Sequence, residues 1–287
     1  MNKVKYLIQS VGIISLFFIY KILGLNISSK LSGYILLLIG PLFRSNKLSE
    51  KNLTRALPNL TKIEKSKILK TMWFNYGRIL SEYVFIKDFR YSVNFSHKIK
   101  IENQSVLQEI ISKKEPVIFI SGHFNNFELM AMQIEKAGVE LAAVYRPLNN
   151  NFLNPIMENI RRKYICKNQI KKGISGTKQL LQQFKNKTSI AMMIDQRVSE
   201  GIKCNLFNQE AFTTTIPAQF VKKFNAKIVP VYIEREKEND FKLKIYNPIK
   251  FKEEDTLASI TQYLNSILEE MILKNPDQWI WSHNRWK

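Results

Sequence analysis

Residues 116–128 have the sequence PVIFISGHFNNFE, and this stretch decides the fold that we expect. The apolar run at 116–121 is typical of a β-strand that is buried on both faces. The residues from Phe127 to Lys136 are predicted to form a helix. His123 therefore falls in the turn between strand and helix. Catalytic groups of α/β proteins gather at the carboxyl ends of strands, so we expect a functional site at this turn.

The two residues of this stretch that are most suited to catalysis are His123, in the turn, and Glu128, in the predicted helix. Two residues five apart on one regular helix would point about 140° apart, so His123 must precede the helix if the two are to meet. Gly122 makes such a turn easy. A neutral imidazole oriented by a carboxylate can take a proton from a hydroxyl group, and no serine nucleophile is needed if that hydroxyl itself attacks. On spacing alone, however, a structural histidine is the more common outcome.

The rest of the chain predicts an α/β protein with a mixed central sheet flanked by helices. Ser49, Thr61 and Asp255 are predicted to cap helices. The predicted strands are residues 140–145, 188–194, 227–233 and 241–246, and further helices are predicted at residues 106–111, 177–184, 217–224 and from residue 255 onward.

The amino terminus is expected to attach the protein to a membrane. Tyr6 to Leu25 is an apolar run of about twenty residues that contains one charge, Lys21, and a helix of that length reaches ~30 Å. A spanning helix is favoured, and a helix lying in the interface or a buried hairpin are the alternatives. The second run, Leu31 to Phe43, is too short to span and should lie in the interface or pack on the core. We therefore predict an anchor at residues 1–45 and a catalytic domain at residues 46–287.

The net charge of +20 implies a negatively charged partner. Composition alone does not choose among nucleic acid, anionic lipid head groups and an acidic protein. The two cysteines, Cys166 and Cys204, form no CxxC motif, so neither a disulfide framework nor a zinc site is indicated. No metal or other cofactor is predicted.

Several blocks occur in a fixed order along the chain: Ser121-Gly-His-Phe-x3-Glu128, Val144-Tyr-Arg-Pro147, Arg161, Ile194-Asp195-Gln196, Phe207 with Ala211-x-Thr-Thr214, Val229-Pro230 and the segment 276–287. In this order they resemble the secondary lauroyl/myristoyl acyltransferases of bacterial lipid A biosynthesis, which are related to the His-x4-Asp glycerolipid acyltransferases. The resemblance extends upstream through Asn52, Pro58, Gly77 and Glu82, and so covers nearly the whole chain.

The resemblance implies a membrane-bound enzyme that transfers a fatty acyl chain from acyl carrier protein to a hydroxyl of a lipid A precursor. It is expected at the bacterial inner membrane, with its catalytic domain on the cytoplasmic side. His123 and Glu128 carry over as the catalytic pair, and Arg146, Arg161 and Asp195 as substrate-binding positions. The sequences Arg161-Arg162-Lys163 and Leu206-Phe207-Asn208 depart from the family pattern, and these departures bear on the identity of the acceptor more than on the chemistry.

Alternatives remain at this stage. The acceptor could be a lysophospholipid or another glycolipid, and the donor could be a coenzyme A thioester. A basic protein that docks on membranes or nucleic acid without catalysis is the alternative of a different class, but no RNP-like run is present and no nucleic-acid partner is predicted. Arg146 and Arg161 could bind phosphates, stabilise an oxyanion or form structural ion pairs. Trp279, Trp281 and Trp286 could meet a membrane surface or pack beneath the last helix.

Overall fold

A computed structural model describes residues 2–43 and 46–287. The predicted boundary after residue 45 lies outside the described residues. The helices are α1 (Asn2–Phe43), α2 (Asn46–Ala56), α3 (Lys62–Glu82), α4 (Ile86–Tyr91), α5 (Gln104–Lys113), α6 (Glu128–Lys136), α7 (Leu153–Tyr164), α8 (Ile174–Lys185), α9 (Ile216–Phe224) and α10 (Leu257–Lys274). The strands are β1 (Ile99–Glu102), β2 (Ile118–Ser121), β3 (Leu141–Tyr145), β4 (Asn168–Lys171), β5 (Ser189–Met193), β6 (Ile202–Leu206), β7 (Gln209–Thr213), β8 (Ile228–Arg235) and β9 (Phe241–Ile245).

A seven-stranded mixed sheet forms the centre of the protein, with the strand order β1-β9-β8-β2-β5-β3-β4. Neighbouring strands are parallel except at β8 and β9, which pair antiparallel. All four residues of β2 are buried, because this strand lies in the middle of the sheet. The predicted fold class, a mixed sheet flanked by helices with an apolar amino-terminal helix, is therefore confirmed.

Three parts of the fold were missed by the sequence prediction: β1, α7 with β4, and the hairpin β6–β7. The hairpin turn consists of Phe207 and Asn208, which have φ values of 54° and 55°. Two-residue hairpin turns with positive φ at both positions normally contain glycine, and this turn has none. The expected sequence signal was therefore absent.

The three predicted caps have different outcomes. Thr61 caps α3 and forms a reciprocal capping box with Glu64, as expected. Ser49 does not cap a helix, because α2 begins at Asn46 and Ser49 is buried inside it. The last helix is capped by Thr256 rather than by Asp255. Asp255 instead accepts a hydrogen bond from the Lys252 backbone, at 2.8 Å, in the preceding turn.

Helix α1 bends at Gly24, whose φ of 74° favours glycine, and so has two arms. We call residues 2–23 the first arm and residues 25–43 the second arm. The second arm packs on α3, where Ser32 donates a hydrogen bond to the Gly77 carbonyl at 2.6 Å. The second apolar run of the sequence thus packs on the core along one side. By length and composition alone, the segment Lys3–Leu42 could cross a membrane.

Candidate active site

The site forms where the neighbouring parallel strands β2 and β5 end. Ser121 is level with Met193 in their register, so two residues further on His123 comes level with Asp195. The His123 backbone N–H donates to Asp195 Oδ2 at 2.8 Å, and the ring atom Nδ1 lies 2.8 Å from Asp195 Oδ1. Asp195 therefore holds both the backbone and the ring of His123.

The prediction that Glu128 orients the His123 ring is wrong. Glu128 is the first residue of α6, and its Oε1 accepts hydrogen bonds from Arg161 Nε at 2.9 Å and Nη2 at 2.6 Å. Tyr83 also reaches this oxygen, at 3.5 Å. Glu128 is thus paired with Arg161, and the carboxylate on the imidazole comes from a neighbouring strand. His123 and Glu128 nevertheless line the same cavity.

The Asp195 carboxylate is buried and fully engaged. Besides the two contacts to His123, its Oδ2 accepts a hydrogen bond from Trp279 Nε1 at 2.9 Å. Burial alone would raise the pKa of Asp195, but the charge and hydrogen bonds of His123, with the bond from Trp279, lower it to about 2. Asp195 is therefore a stable anion at neutral pH.

His123 has the opposite shift. Burial favours the neutral ring, but the adjacent Asp195 charge and hydrogen bond outweigh it and raise the pKa of His123 above its ordinary value. The Phe127 ring packs edge-on to the imidazole, with 4.7 Å between ring centroids. With Nδ1 bonded to Asp195, Nε2 is the ring nitrogen left to accept a proton.

Two arginines of the predicted site have different environments. The Arg161 side chain is largely buried against Glu128, and its guanidinium also lies 5.7 Å from the centre of the Tyr145 ring. Burial opposes the charge on Arg161, but Glu128 and Tyr83 more than compensate and raise its pKa. The ion-pair alternative considered for Arg161 is thus the one observed. Arg146 is exposed and lines the cavity, and within the described part of the chain no ion pair holds it.

A cavity of about 910 Å³ opens beside His123. One part of its wall is polar and includes Arg146, Lys172 and His283. The remaining wall is largely apolar and runs inward between the sheet and α6, with lining residues Phe119, Met130, Ala131, Ile134, Ile165 and Met192. A cavity of this size and lining suits a long apolar ligand with a polar head.

The turn that carries His123 is fixed by a buried polar cluster, which we call the Glu82 cluster. Glu82 is fully buried and pairs with Arg235 at 2.7 Å. Asn126 donates to Glu82 at 3.0 Å, and Asn125 accepts a hydrogen bond from Arg235 at 3.0 Å. These contacts hold Asn126 and also Asn125, whose backbone has a positive φ of 41°. The cluster fixes the backbone that follows His123.

Gly122 serves this turn through space rather than through a positive φ. A Cβ atom at Gly122 would lie 2.9 Å from the Phe124 ring and 3.0 Å from the Leu268 side chain. A side chain at position 122 would require the Phe124 ring and the end of the Leu268 side chain to shift, so glycine is the residue that fits without rearrangement.

The whole chain, residues 1–287, matches the sequence profile of the family described as bacterial lipid A biosynthesis acyltransferase. The chain belongs to this family. Family membership makes the protein an acyltransferase. Comparison with curated protein sequences gave no significant match.

Among solved structures, one similar chain is the crystal structure of the 1-acyl-sn-glycerophosphate (LPA) acyltransferase PlsC from Thermotoga maritima. The similarity has a TM-score of 0.44 with 14% sequence identity, and it covers 91% of this chain and 99% of that chain.

Sequence reasoning missed the role of the carboxy-terminal tryptophans. Trp279, Trp281 and Trp286 are all buried, so packing rather than contact with a membrane surface is the alternative observed. Trp279 also supports Asp195, a role that no motif in the sequence indicated. Of the block that comprises Phe207 and Ala211-x-Thr-Thr214, Thr214 lines the cavity, whereas Phe207 packs against Trp286.

Proposed function

We propose that this family member transfers a fatty acyl chain from an acyl carrier protein thioester to a hydroxyl of a phosphorylated lipid A precursor. The observation that carries the proposal is the His123–Asp195 pair in the wall of a long, largely apolar cavity. A general base that faces an apolar channel is the arrangement required to join a hydroxyl to an acyl chain. The net charge of +20 is complementary to both an acidic carrier protein and a phosphorylated lipid.

In the proposed reaction, His123 Nε2 takes the proton from the acceptor hydroxyl as its oxygen attacks the thioester carbonyl carbon. The new C–O bond gives a tetrahedral intermediate, whose collapse breaks the C–S bond. The imidazolium then returns the proton to the leaving thiolate. Asp195 fixes the Nδ1–H tautomer and stabilises the imidazolium throughout.

Glu128 and Arg161 act together in this proposal. Their buried ion pair fixes the first turn of α6 beside His123, and the Glu128 charge also favours the imidazolium. Arg146, exposed at the polar wall of the cavity, is proposed to bind a phosphate of the acceptor. We place the enzyme at the inner membrane with its catalytic domain on the cytoplasmic side, where acyl carrier protein is found.

The test is acyl transfer by the purified full-length protein, followed by mass spectrometry of the lipid products. Acyl carrier protein and coenzyme A thioesters are each offered with a lipid A precursor and with a lysophospholipid. We expect transfer from acyl carrier protein to the lipid A precursor, and we expect His123→Ala to slow it about 10²–10⁴-fold. His97→Ala is the matched control, because His97 is exposed and does not line the cavity.

Two results would count against the proposal in different ways. Full activity of His123→Ala would remove the base from the mechanism. Preferential transfer to the lysophospholipid, with His123→Ala still inactive, would retain the chemistry and replace the acceptor.

A further inference from the structure

The first arm of α1 lies along the catalytic domain instead of projecting from it. The buried or half-buried positions in this arm are Tyr6, Ser10, Ile13, Leu16, Phe17, Tyr20 and Leu23. Their spacing of three to four residues defines one face of a helix. From residue 6 to residue 20 this covered face runs ~21 Å at 1.5 Å per residue. One side of the arm therefore contacts protein over most of its length.

Polar contacts tie the arm to the domain near both ends. Asn150 donates to the Tyr6 carbonyl at 2.9 Å and accepts a hydrogen bond from Ser10 at 3.0 Å. Near the other end, Lys21 pairs with Asp88 at 2.8 Å. Ser10 and Lys21 are ~16 Å apart along the helix axis. The two ties come from different parts of the domain, the loop before α7 and helix α4.

The opposite side of α1 is apolar and exposed on both arms. Ile8, Phe18 and Ile22 are 66%, 69% and 70% exposed on the first arm. The exposed stripe continues along the second arm through Ile27, Tyr34, Leu38 and Leu42. A continuous apolar surface of this extent that is exposed on a folded protein marks a site of interaction with another protein or a membrane.

A membrane-spanning first arm conflicts with the two ties. If the arm stood upright, Asn150 and Asp88 would differ in depth by ~16 Å, about half the thickness of the hydrocarbon core. One of these two residues would then lie within the hydrocarbon together with a charged neighbour. That neighbour is Lys87 in the case of Asp88 and Arg146 in the case of Asn150. Polar and charged groups at that depth are costly.

We propose that α1 lies flat in one leaflet of a phospholipid bilayer, with the outer faces of both arms inserted in the interface and neither arm crossing. The bend at Gly24 lets both arms follow the same surface. Lys3 and Lys5 are exposed at the amino-terminal end of this surface and complement anionic head groups. The cavity borders the same surface, since Leu36 of the second arm and Leu148, close to Asn150, both line it. This attachment does not depend on the proposed acyl transfer.

The decisive experiment asks on which side of the membrane each end of the protein lies. One cysteine is placed in a short Gly-Ser extension before Met1, and another is introduced by Lys250→Cys at an exposed position of the catalytic domain. The native Cys166 and Cys204 are buried, and burial raises the pKa of both thiols, so they give little background labelling. Each variant is treated with a membrane-impermeant maleimide in sealed inverted and right-side-out membrane vesicles.

We expect both cysteines to label in the same type of vesicle and neither to label in the other until detergent is added. Labelling of the two cysteines in opposite types of vesicle would show a spanning arm and would overturn the proposal.

A second experiment tests the surface itself. Phe18→Asp changes a side chain that is 69% exposed in the carboxy-terminal half of the first arm, and Ile174→Asp changes a side chain on α8 that is 84% exposed and outside this surface. With vesicles of phosphatidylethanolamine and phosphatidylglycerol, we expect Phe18→Asp to weaken binding about 10–100-fold and Ile174→Asp to leave it unchanged. Both variants should keep the wild-type unfolding temperature. Wild-type binding by a folded Phe18→Asp protein would exclude this surface.

Discussion

At the scale of residues, the imidazole and its carboxylate come from separate strands. His123 follows β2 and Asp195 follows β5, and the parallel register brings them level. The sequence identified both residues, but it assigned the carboxylate to Glu128, the nearer residue along the chain. Strand order decides which carboxylate meets the ring, and strand order is set by long-range packing that a short motif does not contain.

Arg146 gives a test of acceptor binding at the same scale. Because its guanidinium lies in the cavity wall and is proposed to contact a phosphate, we expect Arg146→Gln to raise the KM for the phosphorylated acceptor about 10-fold or more with little change in kcat. The measurement is initial-rate kinetics with the acceptor concentration varied.

Arg162→Gln is the matched control, since Arg162 is exposed on α7 and does not line the cavity. An equal KM for the wild type and Arg146→Gln would remove Arg146 from the acceptor site.

At the scale of elements, the Glu82 cluster joins α3, β8 and the turn after His123. The sequence offered Glu82 as one position of the family resemblance without a reason for it. The structure supplies that reason, because Glu82 is fully buried and balances the charge of Arg235 while Asn126 binds it. Helices and strands with strong periodicity could be predicted, whereas this cluster depends on residues that are distant in sequence.

The cluster predicts a large cost when one partner is removed. Arg235→Met removes the closer cation of the buried Glu82 carboxylate and leaves it with the more distant Arg78, whose Nε is 3.9 Å away, so we expect the free energy of unfolding to fall by up to about 3–5 kcal/mol. Lys242→Met on β9 is the control: Lys242 pairs with Glu102 at the surface, and a far smaller change is expected. Chemical denaturation followed by circular dichroism measures both. Equal stabilities of the two variants would show that the cluster does not support the fold.

At the scale of the whole molecule, composition and hydropathy predicted the fold class and the apolar amino terminus. They did not predict how that terminus lies. The length of the run from Tyr6 to Leu25 suits a span, and only the contacts of Asn150 and Asp88 show that the first arm lies along the domain. An apolar segment that packs on its own protein on one side and meets lipid on the other has the same length and composition as a spanning helix.

The most direct test of the central claim is the pH dependence of kcat/KM for the wild type and for Asp195→Asn. The base must be neutral to act, and Asp195 raises the pKa of His123, so wild-type activity should fall with acid at a pH above the ordinary histidine pKa of 6.5. Without the carboxylate, the pKa of His123 should drop, which moves the acid limb to lower pH, and the maximal rate should fall by up to about 10⁴-fold because the tautomer is lost. An Asp195→Asn enzyme with the wild-type rate and an unmoved acid limb would contradict the account.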